Sequence, residues 1–99
     1  MEVKVFDEIV KNRLKVCQAT LTKKRKEYAI GVDRLSNFKV AGKLQRCSNE
    51  AALGGMLAKH IVSIYDGIDS GNLTEEQWEE KLTDGINYLL LLEGLIKES

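Results

Sequence analysis

The chain has 99 residues, of which 43% are hydrophobic and 30% are charged, a balance typical of a single globular domain over residues 1–99 and not of a disordered segment. Fifteen Lys and Arg residues against fifteen Asp and Glu residues leave no net charge, which argues against a surface built throughout for nucleic acid. A domain of this size buries only about two-thirds of its unfolded surface, so association with other copies would supplement its core.

The cysteines and the chain start bear on location. Cys17 and Cys47 are too few and too far apart for a disulfide framework or a cysteine zinc site, which favours reduced thiols. The first residues, MEVKVFDEIVK, are amphipathic and acidic, unlike a signal peptide. The longest apolar run, residues 89–92, is far shorter than the roughly 20 residues of a membrane span. We therefore expect a soluble cytoplasmic protein with no membrane partner.

Residues 3–28 have the period of an amphipathic helix, with one narrow apolar stripe. The stripe consists of Phe6, Val10, Leu14, Cys17, Leu21 and Tyr28. The chain lacks proline, and no glycine precedes Gly31, so nothing interrupts this helix. Its last turns carry the basic run 23–26, which either complements the helix dipole or contacts phosphate.

The pattern weakens over residues 29–46. Gly31 is a natural stop, Asp33 could cap a short helix, and Gly42 is expected to break that helix. Arg34, Asn37 and Lys39 in this segment are of types that contact ligands, although such side chains are often only solvated.

Residues 48–68 predict the central helix, with Ser48 as its N-cap. Its core stripe is Leu53, Leu57, Ile61, Ile64 and Ile68. His60 lies at the edge of this stripe with Lys59 beside it. The interior pair Gly54 and Gly55 destabilises a helix, which suggests that a backbone, a bulky side chain or a ligand comes close there.

After a turn at residues 69–72, Thr74 and Gln77 fit the capping box of a last helix. This helix has two apolar stripes, so it is either central or covered on one side by another subunit, and we favour subunit contact. The main stripe is Trp78, Leu82, Ile86, Leu89, Leu92 and Ile96, and the second is Tyr88, Leu91 and Leu95. The predicted fold is an all-α antiparallel bundle of three long helices and one short helix, and we expect it to be oligomeric.

No strong catalytic motif is present, and a single histidine excludes a multi-histidine metal site within one chain. Carboxylates on facing helices remain: Asp66, Glu80 and Asp84 could hold Mg²⁺ if the last two helices are antiparallel. Asp84 is the strongest of these candidates because it lies within an apolar stripe, where an unpaired carboxylate is costly. Lys59 or Arg34 could instead pair with it.

A different chemistry follows from the basic and aromatic side chains. Lysine, arginine and histidine suit phosphate groups, and tyrosine can stack on a base or ribose. Phosphates would meet Arg34, Lys39, Lys59 and His60. The base or ribose would meet Asn37, Asp84, Asn87 and Tyr88. His60 has a structural alternative as a hydrogen-bonded residue at the core edge.

Several segments of the chain are similar to those of a known group of proteins. They are MLAKHIVSIYDGI and WEEKLTDGINYLLLLEGLI, with KRKEYA and DRLSNFK upstream. The chain resembles small proteins encoded by bacteriophages of Gram-positive hosts, which in turn are similar to MazG-like all-α nucleoside triphosphate pyrophosphohydrolases. The resemblance implies a helical fold, a nucleotide-type ligand, dimers or tetramers, and the cytoplasm of an infected bacterium. In the enzymes, Glu-x-x-Glu and Glu-x-x-Asp pairs bind metal. Here Lys59 and His60 stand where the first pair is expected, and Glu80 is four residues from Asp84 instead of three.

Three hypotheses follow. The first is an oligomeric helical protein that binds a nucleotide or nucleotide-derived ligand without turnover and without a cofactor, as in sequestration of a host immune signal. The second is a Mg²⁺-dependent pyrophosphohydrolase with Asp66, Glu80 and Asp84 as ligands. The third is a structural or protein-interaction module.

Overall fold

The fold consists of four helices. A computed structural model describes the backbone of residues 1–28 and 33–99 and the side chains of residues 1–24 and 33–99. The helices are α1 (Val3–Tyr28), α2 (Ser36–Gln45), α3 (Asn49–Ser70) and α4 (Glu75–Glu98), and all regular structure within these ranges is helical. The predicted all-α bundle of three long helices and one short helix is confirmed. None of the described helices combines the length and the apolar character needed to cross a membrane.

Local capping explains where α3 and α4 begin. Ser48 Oγ accepts a hydrogen bond from the Ala51 amide at 3.0 Å, as expected for an N-cap. Thr74 and Gln77 form the predicted capping box, with reciprocal side-chain bonds of 3.1 and 2.9 Å. The turn between the two helices depends on Gly71, whose φ of 66° is in the left-handed region that glycine tolerates.

Gly42 does not break α2, so that prediction is wrong. The helix continues to Gln45 and ends at Arg46, whose φ of 56° turns the chain toward α3. Gly42 is buried at this return: a Cβ built on it would lie 2.8 Å from Asn49 Oδ1 and 3.1 Å from the Cys47 carbonyl oxygen. The glycine therefore allows close approach of the two helix ends.

The core lies between α2, α3 and α4. Leu35, Phe38, Leu53 and Leu95 are its buried members. Residues of the second α4 stripe, Tyr88, Leu91 and Leu95, pack there. In the main predicted stripe of α4, by contrast, three of the six residues are exposed: Leu82, Leu89 and Ile96. The helices α3 and α4 are antiparallel, since His60 contacts Tyr88 whereas Gly67 lies close to Trp78.

Helix α1 packs against α4 only over part of its length. Cys17 is buried, its pKa is raised because burial disfavours the thiolate, and both cysteines of the chain are free thiols. Phe6, Val10 and Leu14 of the same stripe are exposed. The Tyr28 side chain lies outside the described residues. The apolar stripe of this helix is therefore buried at Cys17, whereas its first half extends past the contact with α4.

Candidate functional site

A cavity of about 340 Å³ lies where the four helices meet. Its volume is within the range of small-molecule sites, which runs from about 300 to 1,000 Å³. The wall consists of Leu21, Lys24, Arg34, Asn37, Phe38, Met56, Asp84, Asn87, Tyr88 and Leu91. A shallower hollow of about 250 Å³ shares Leu21, Arg34 and Leu91 with it. Arg34 thus borders both spaces.

Five of the eight predicted ligand-binding residues line this cavity. They are Arg34, Asn37, Asp84, Asn87 and Tyr88. Just over one turn of α4 supplies the last three, and Leu91 follows in the next turn, because positions 84, 87, 88 and 91 share one side of that helix. The chain just before α2 supplies Arg34, and the first turn of α2 supplies Asn37.

Lys24 also lines the cavity, although the sequence indicated it only as a member of the basic run 23–26. Its Nζ lies 3.4 Å from Asp84 Oδ1, and the Asp84 side chain is 20% exposed. Lys24 belongs to the basic run at the end of α1, for which phosphate contact was the alternative to a helix-dipole role. The pairing also corrects the expectation that Lys59 or Arg34 would neutralise Asp84.

Asn87 is the most deeply buried polar residue in the cavity wall, with 5% exposure. Its Nδ2 donates a hydrogen bond to the Cys17 carbonyl oxygen at 3.2 Å, which fixes the orientation of the amide. Its Oδ1 is buried and accepts no hydrogen bond from any group that the structure describes. Because a buried acceptor without a partner costs about 1–3 kcal/mol, a ligand that donates to Oδ1 would recover a substantial free energy.

Two rings hold the Tyr88 side chain in place. The Phe38 ring meets it edge-on, with centroids 6.2 Å apart and planes at 74°. The His60 ring lies at 4.6 Å with a tilt of 34°. His60 therefore contacts a cavity residue without lining the cavity itself, and its phosphate contact stays a prediction.

Lys39 and Lys59 also lie outside the cavity wall, so the structure does not bring them together with the other predicted ligand-binding residues. Lys59 is exposed on α3. Lys39 Nζ is held by Asp33 Oδ2 at 2.8 Å and by Glu98 Oε2 at 3.0 Å, so it ties the start of α2 to the end of α4. The hydrogen bond from Lys39 lowers the pKa of Asp33, and the bonds to Asp33 and Glu98 raise the pKa of Lys39.

This ion pair predicts a pH-dependent effect of Asp33→Asn. Because the folded pKa of Asp33 is lowered, this group stabilises the fold at pH values above its unfolded pKa of about 3.9, and the stabilisation is lost as the pH falls through the folded pKa. Because the folded pKa of Lys39 is raised, this group stabilises the fold at pH values below its unfolded pKa of about 10.4, and the stabilisation is lost as the pH rises through the folded pKa. We expect Asp33→Asn to lower the melting temperature slightly between about pH 5 and 9, with the difference disappearing as the pH falls through the folded pKa of Asp33. The bond from the Leu35 amide to Oδ1, 2.9 Å long, is compatible with asparagine, so the substitution tests the charge.

Thermal unfolding followed by circular dichroism measures this difference. Asp7→Asn is the control, since Asp7 is exposed on α1 and has no ion-pair partner among the described residues. A difference for Asp33→Asn that stays constant into the acid range would contradict the ion-pair explanation.

The proposed magnesium ligands do not form a three-carboxylate centre. Among the described residues, no group of three histidine, cysteine, aspartate or glutamate side chains is close enough to hold a metal ion. Asp66 is exposed on α3. Glu80 and Asp84 border a common groove beside Lys24, but Asp84 forms its ion pair with that lysine.

No protein-family model, curated protein or solved structure matches the chain. The candidate site is therefore defined by its own geometry.

Proposed function

We propose that this chain binds a nucleotide or nucleotide-derived ligand in the cavity and releases it chemically unchanged. The observation that carries the proposal is Asn87, whose buried Oδ1 has no partner among the described residues and which lines a wall that also holds two cations and two aromatic rings. Nucleotides combine hydrogen-bond donors, a stacking base and anionic phosphates. Each of these groups has a counterpart in the wall.

Lys24 and Arg34 are the phosphate-binding residues in this proposal. Arg34 forms no ion pair with a side chain that the structure describes, and its planar guanidinium suits two phosphate oxygens at once. Lys24 is 41% exposed and can turn from Asp84 toward an anion. Because Asp84 offsets one of the two charges, the wall favours an anion without being strongly basic.

Asn87, Asn37 and Tyr88 are the base- or ribose-binding residues. A ring N–H or an exocyclic amino group would donate to Asn87 Oδ1, which meets the cost of its burial. Tyr88 offers ring surface for stacking, and its contacts with Phe38 and His60 reduce the entropy lost on binding. The Asp84 carboxylate can accept from a ribose hydroxyl.

Capture explains this arrangement better than hydrolysis does. Pyrophosphate release in MazG-like enzymes uses several metal-binding carboxylates, whereas Asp84 is here paired with Lys24. In the phage setting that the resemblance implies, a protein that holds a nucleotide signal intact would lower its free concentration and so blunt a host defence that depends on it.

Isothermal titration calorimetry with ribonucleoside and deoxyribonucleoside triphosphates, ADP-ribose and cyclic dinucleotides tests the proposal. We expect one of these probes to bind and to be recovered intact by mass spectrometry after denaturation, with and without Mg²⁺. Pyrophosphate release that Asp84→Ala abolishes would support the pyrophosphohydrolase instead. If no probe binds or shifts the melting temperature, a structural or protein-interaction module is the better explanation.

Arg34→Gln is expected to weaken binding of the tightest nucleotide probe by about 10- to 150-fold. Hydrogen bonds to a charged group contribute about 1.5–3 kcal/mol, and each 1.36 kcal/mol is a tenfold change in affinity. Arg46→Gln is the matched control because Arg46 is exposed and does not line the cavity. Equal affinities of the two variants would remove Arg34 from the site.

A further inference from the structure

The solvent side of α3 carries six residues at alternating spacings of three and four. They are Ala51, Gly54, Ala58, Ile61, Tyr65 and Ile68, and we call this row the α3 seam. Spacing of this kind places all six on one narrow face, as in the contact face of a coiled coil. The seam contains no charged residue, and its large members are open to solvent: Tyr65 is 63% exposed and Ile68 is 58% exposed. Ile61 and Ile68 therefore do not belong to the core stripe in which the sequence placed them.

Gly54 has no explanation within one chain. A Cβ built on it, or on the neighbouring Gly55, would meet nothing within 4 Å. A glycine inside a helix costs about 1 kcal/mol relative to alanine, and the close approach that would account for this cost is absent from the described part of the chain. Gly54, unlike Gly55, lies on the α3 seam. A neighbour that packs closely against Gly54 would therefore belong to another molecule.

The residues of the seam have small side chains in its first half and large side chains in its second half. An antiparallel pairing with an identical seam places Ala51 opposite Ile68, Gly54 opposite Tyr65 and Ala58 opposite Ile61. Each large side chain then meets a small one, which is the condition for dense packing. A parallel pairing would place Tyr65 against Tyr65 and leave a gap at Gly54.

We infer that the α3 seam binds the α3 seam of a second copy of this chain, antiparallel, with the twofold axis between Ala58 and Ile61. Such an interface is isologous, because the same residues contribute on both sides. Depletion of charge and exposed aromatic and aliphatic side chains are typical of the centre of a protein interface.

The α3 seam supplies part of the area that a stable dimer buries. The seam is about 26 Å long at 1.5 Å per residue, and a strip one helix wide, roughly 10 Å, provides a few hundred Å². Exposed Leu82 and Leu89 on the antiparallel neighbour α4 extend the apolar surface. Stable interfaces bury about 800 Å² per partner, so the contact requires this α4 surface in addition to the seam.

The dimer does not depend on the proposed nucleotide site. The only α3 residue in the cavity wall of the described chain is Met56, which lies on the side of the helix away from the seam. Loss of dimerisation and loss of nucleotide binding can therefore be measured separately.

Sedimentation velocity tests the proposal with adjacent substitutions. At a protein concentration of about 100 µM, the unchanged protein should sediment as a dimer with twice the chain mass of 11.1 kDa. Gly54→Leu should be a folded monomer, since a Cβ at this position meets nothing within 4 Å among the described residues, whereas the longer side chain would meet Tyr65 of the partner subunit. Gly55→Leu is the control: it adds the same side chain about a quarter-turn from the seam and should remain a dimer.

Tyr65→Lys provides a second test, because an exposed side chain can be changed with little cost to the monomer. Circular dichroism confirms that each variant is helical. A monomeric unchanged protein overturns the proposal, as does a dimer that survives both Gly54→Leu and Tyr65→Lys. The latter result would place the contact elsewhere, for example on the exposed first half of α1.

Disulfide trapping tests the orientation. In a Cys47→Ser background, Gly54→Cys and Tyr65→Cys are oxidised alone and as a mixture. The antiparallel model predicts cross-linked dimers in the mixture and little cross-linking of either variant alone, because only the unlike positions approach within the roughly 7 Å that a disulfide spans. Cross-linking of each variant with itself would show a parallel pair and contradict the model.

Discussion

Leu53→Ala is expected to lower the free energy of unfolding by about 3 kcal/mol. Leu53 is completely buried on α3, where it packs in one cluster with Leu35, Phe38 and Leu95. Its truncation removes buried apolar surface and leaves a cavity, which together cost about 2–5 kcal/mol in well-packed cores. A domain of this size has a total stability of about 5–15 kcal/mol, so much of the margin would be lost.

Urea denaturation at one fixed protein concentration measures this change, because the proposed dimerisation would make apparent stability depend on concentration. The melting temperature should fall by about 12–24 °C, at 4–8 °C for each kcal/mol. Leu44→Ala is the control: Leu44 is also helical but 79% exposed, and its change should stay within about 0.5 kcal/mol. Equal denaturation midpoints for the two variants would mean that Leu53 is not a core residue.

Helix positions were predictable from the sequence because helix ends depend on local chemistry. The Ser48 cap and the Thr74–Gln77 box involve residues three apart, and their bonds form wherever the helix begins. Gly42 was misinterpreted for the opposite reason. Its role depends on Asn49 and Cys47 across a turn, and a local pattern does not contain that contact.

The cavity was only partly predictable. Asp84, Asn87 and Tyr88 were found because a single helix fixes their relative positions. Lys24 was missed because the helix dipole already explained a basic run, and only the packing of α1 on α4 brings this lysine to Asp84. The sequence did not indicate that Lys39 and Lys59 lie outside the cavity wall, because the periodicity of one helix does not determine which neighbour its polar edge will face.

Asn87 affects both the stability of the bundle and the proposed ligand binding. Its amide donates to Cys17 in α1, while its carbonyl oxygen stays buried and without a partner among the described residues. A core selected for stability alone would favour an apolar side chain at this position, since an unsatisfied buried acceptor is costly. The asparagine is therefore the residue at which folding and ligand binding should have opposite preferences.

We therefore expect Asn87→Leu to leave the free energy of unfolding unchanged or to raise it by up to about 1.5 kcal/mol, while weakening the tightest nucleotide probe by about 5- to 150-fold. The substitution removes one hydrogen bond of about 0.5–1.5 kcal/mol, but it also removes an unsatisfied acceptor that costs about 1–3 kcal/mol; the ligand in turn loses its acceptor. Thr83→Val is the contrasting control. Thr83 is buried one turn away, accepts from Arg13 and does not line the cavity, so its replacement should cost about 1 kcal/mol and leave affinity intact. Urea denaturation and calorimetry on both variants distinguish the outcomes: an Asn87→Leu protein that is clearly destabilised but binds normally would mean that Oδ1 has no ligand to accept from.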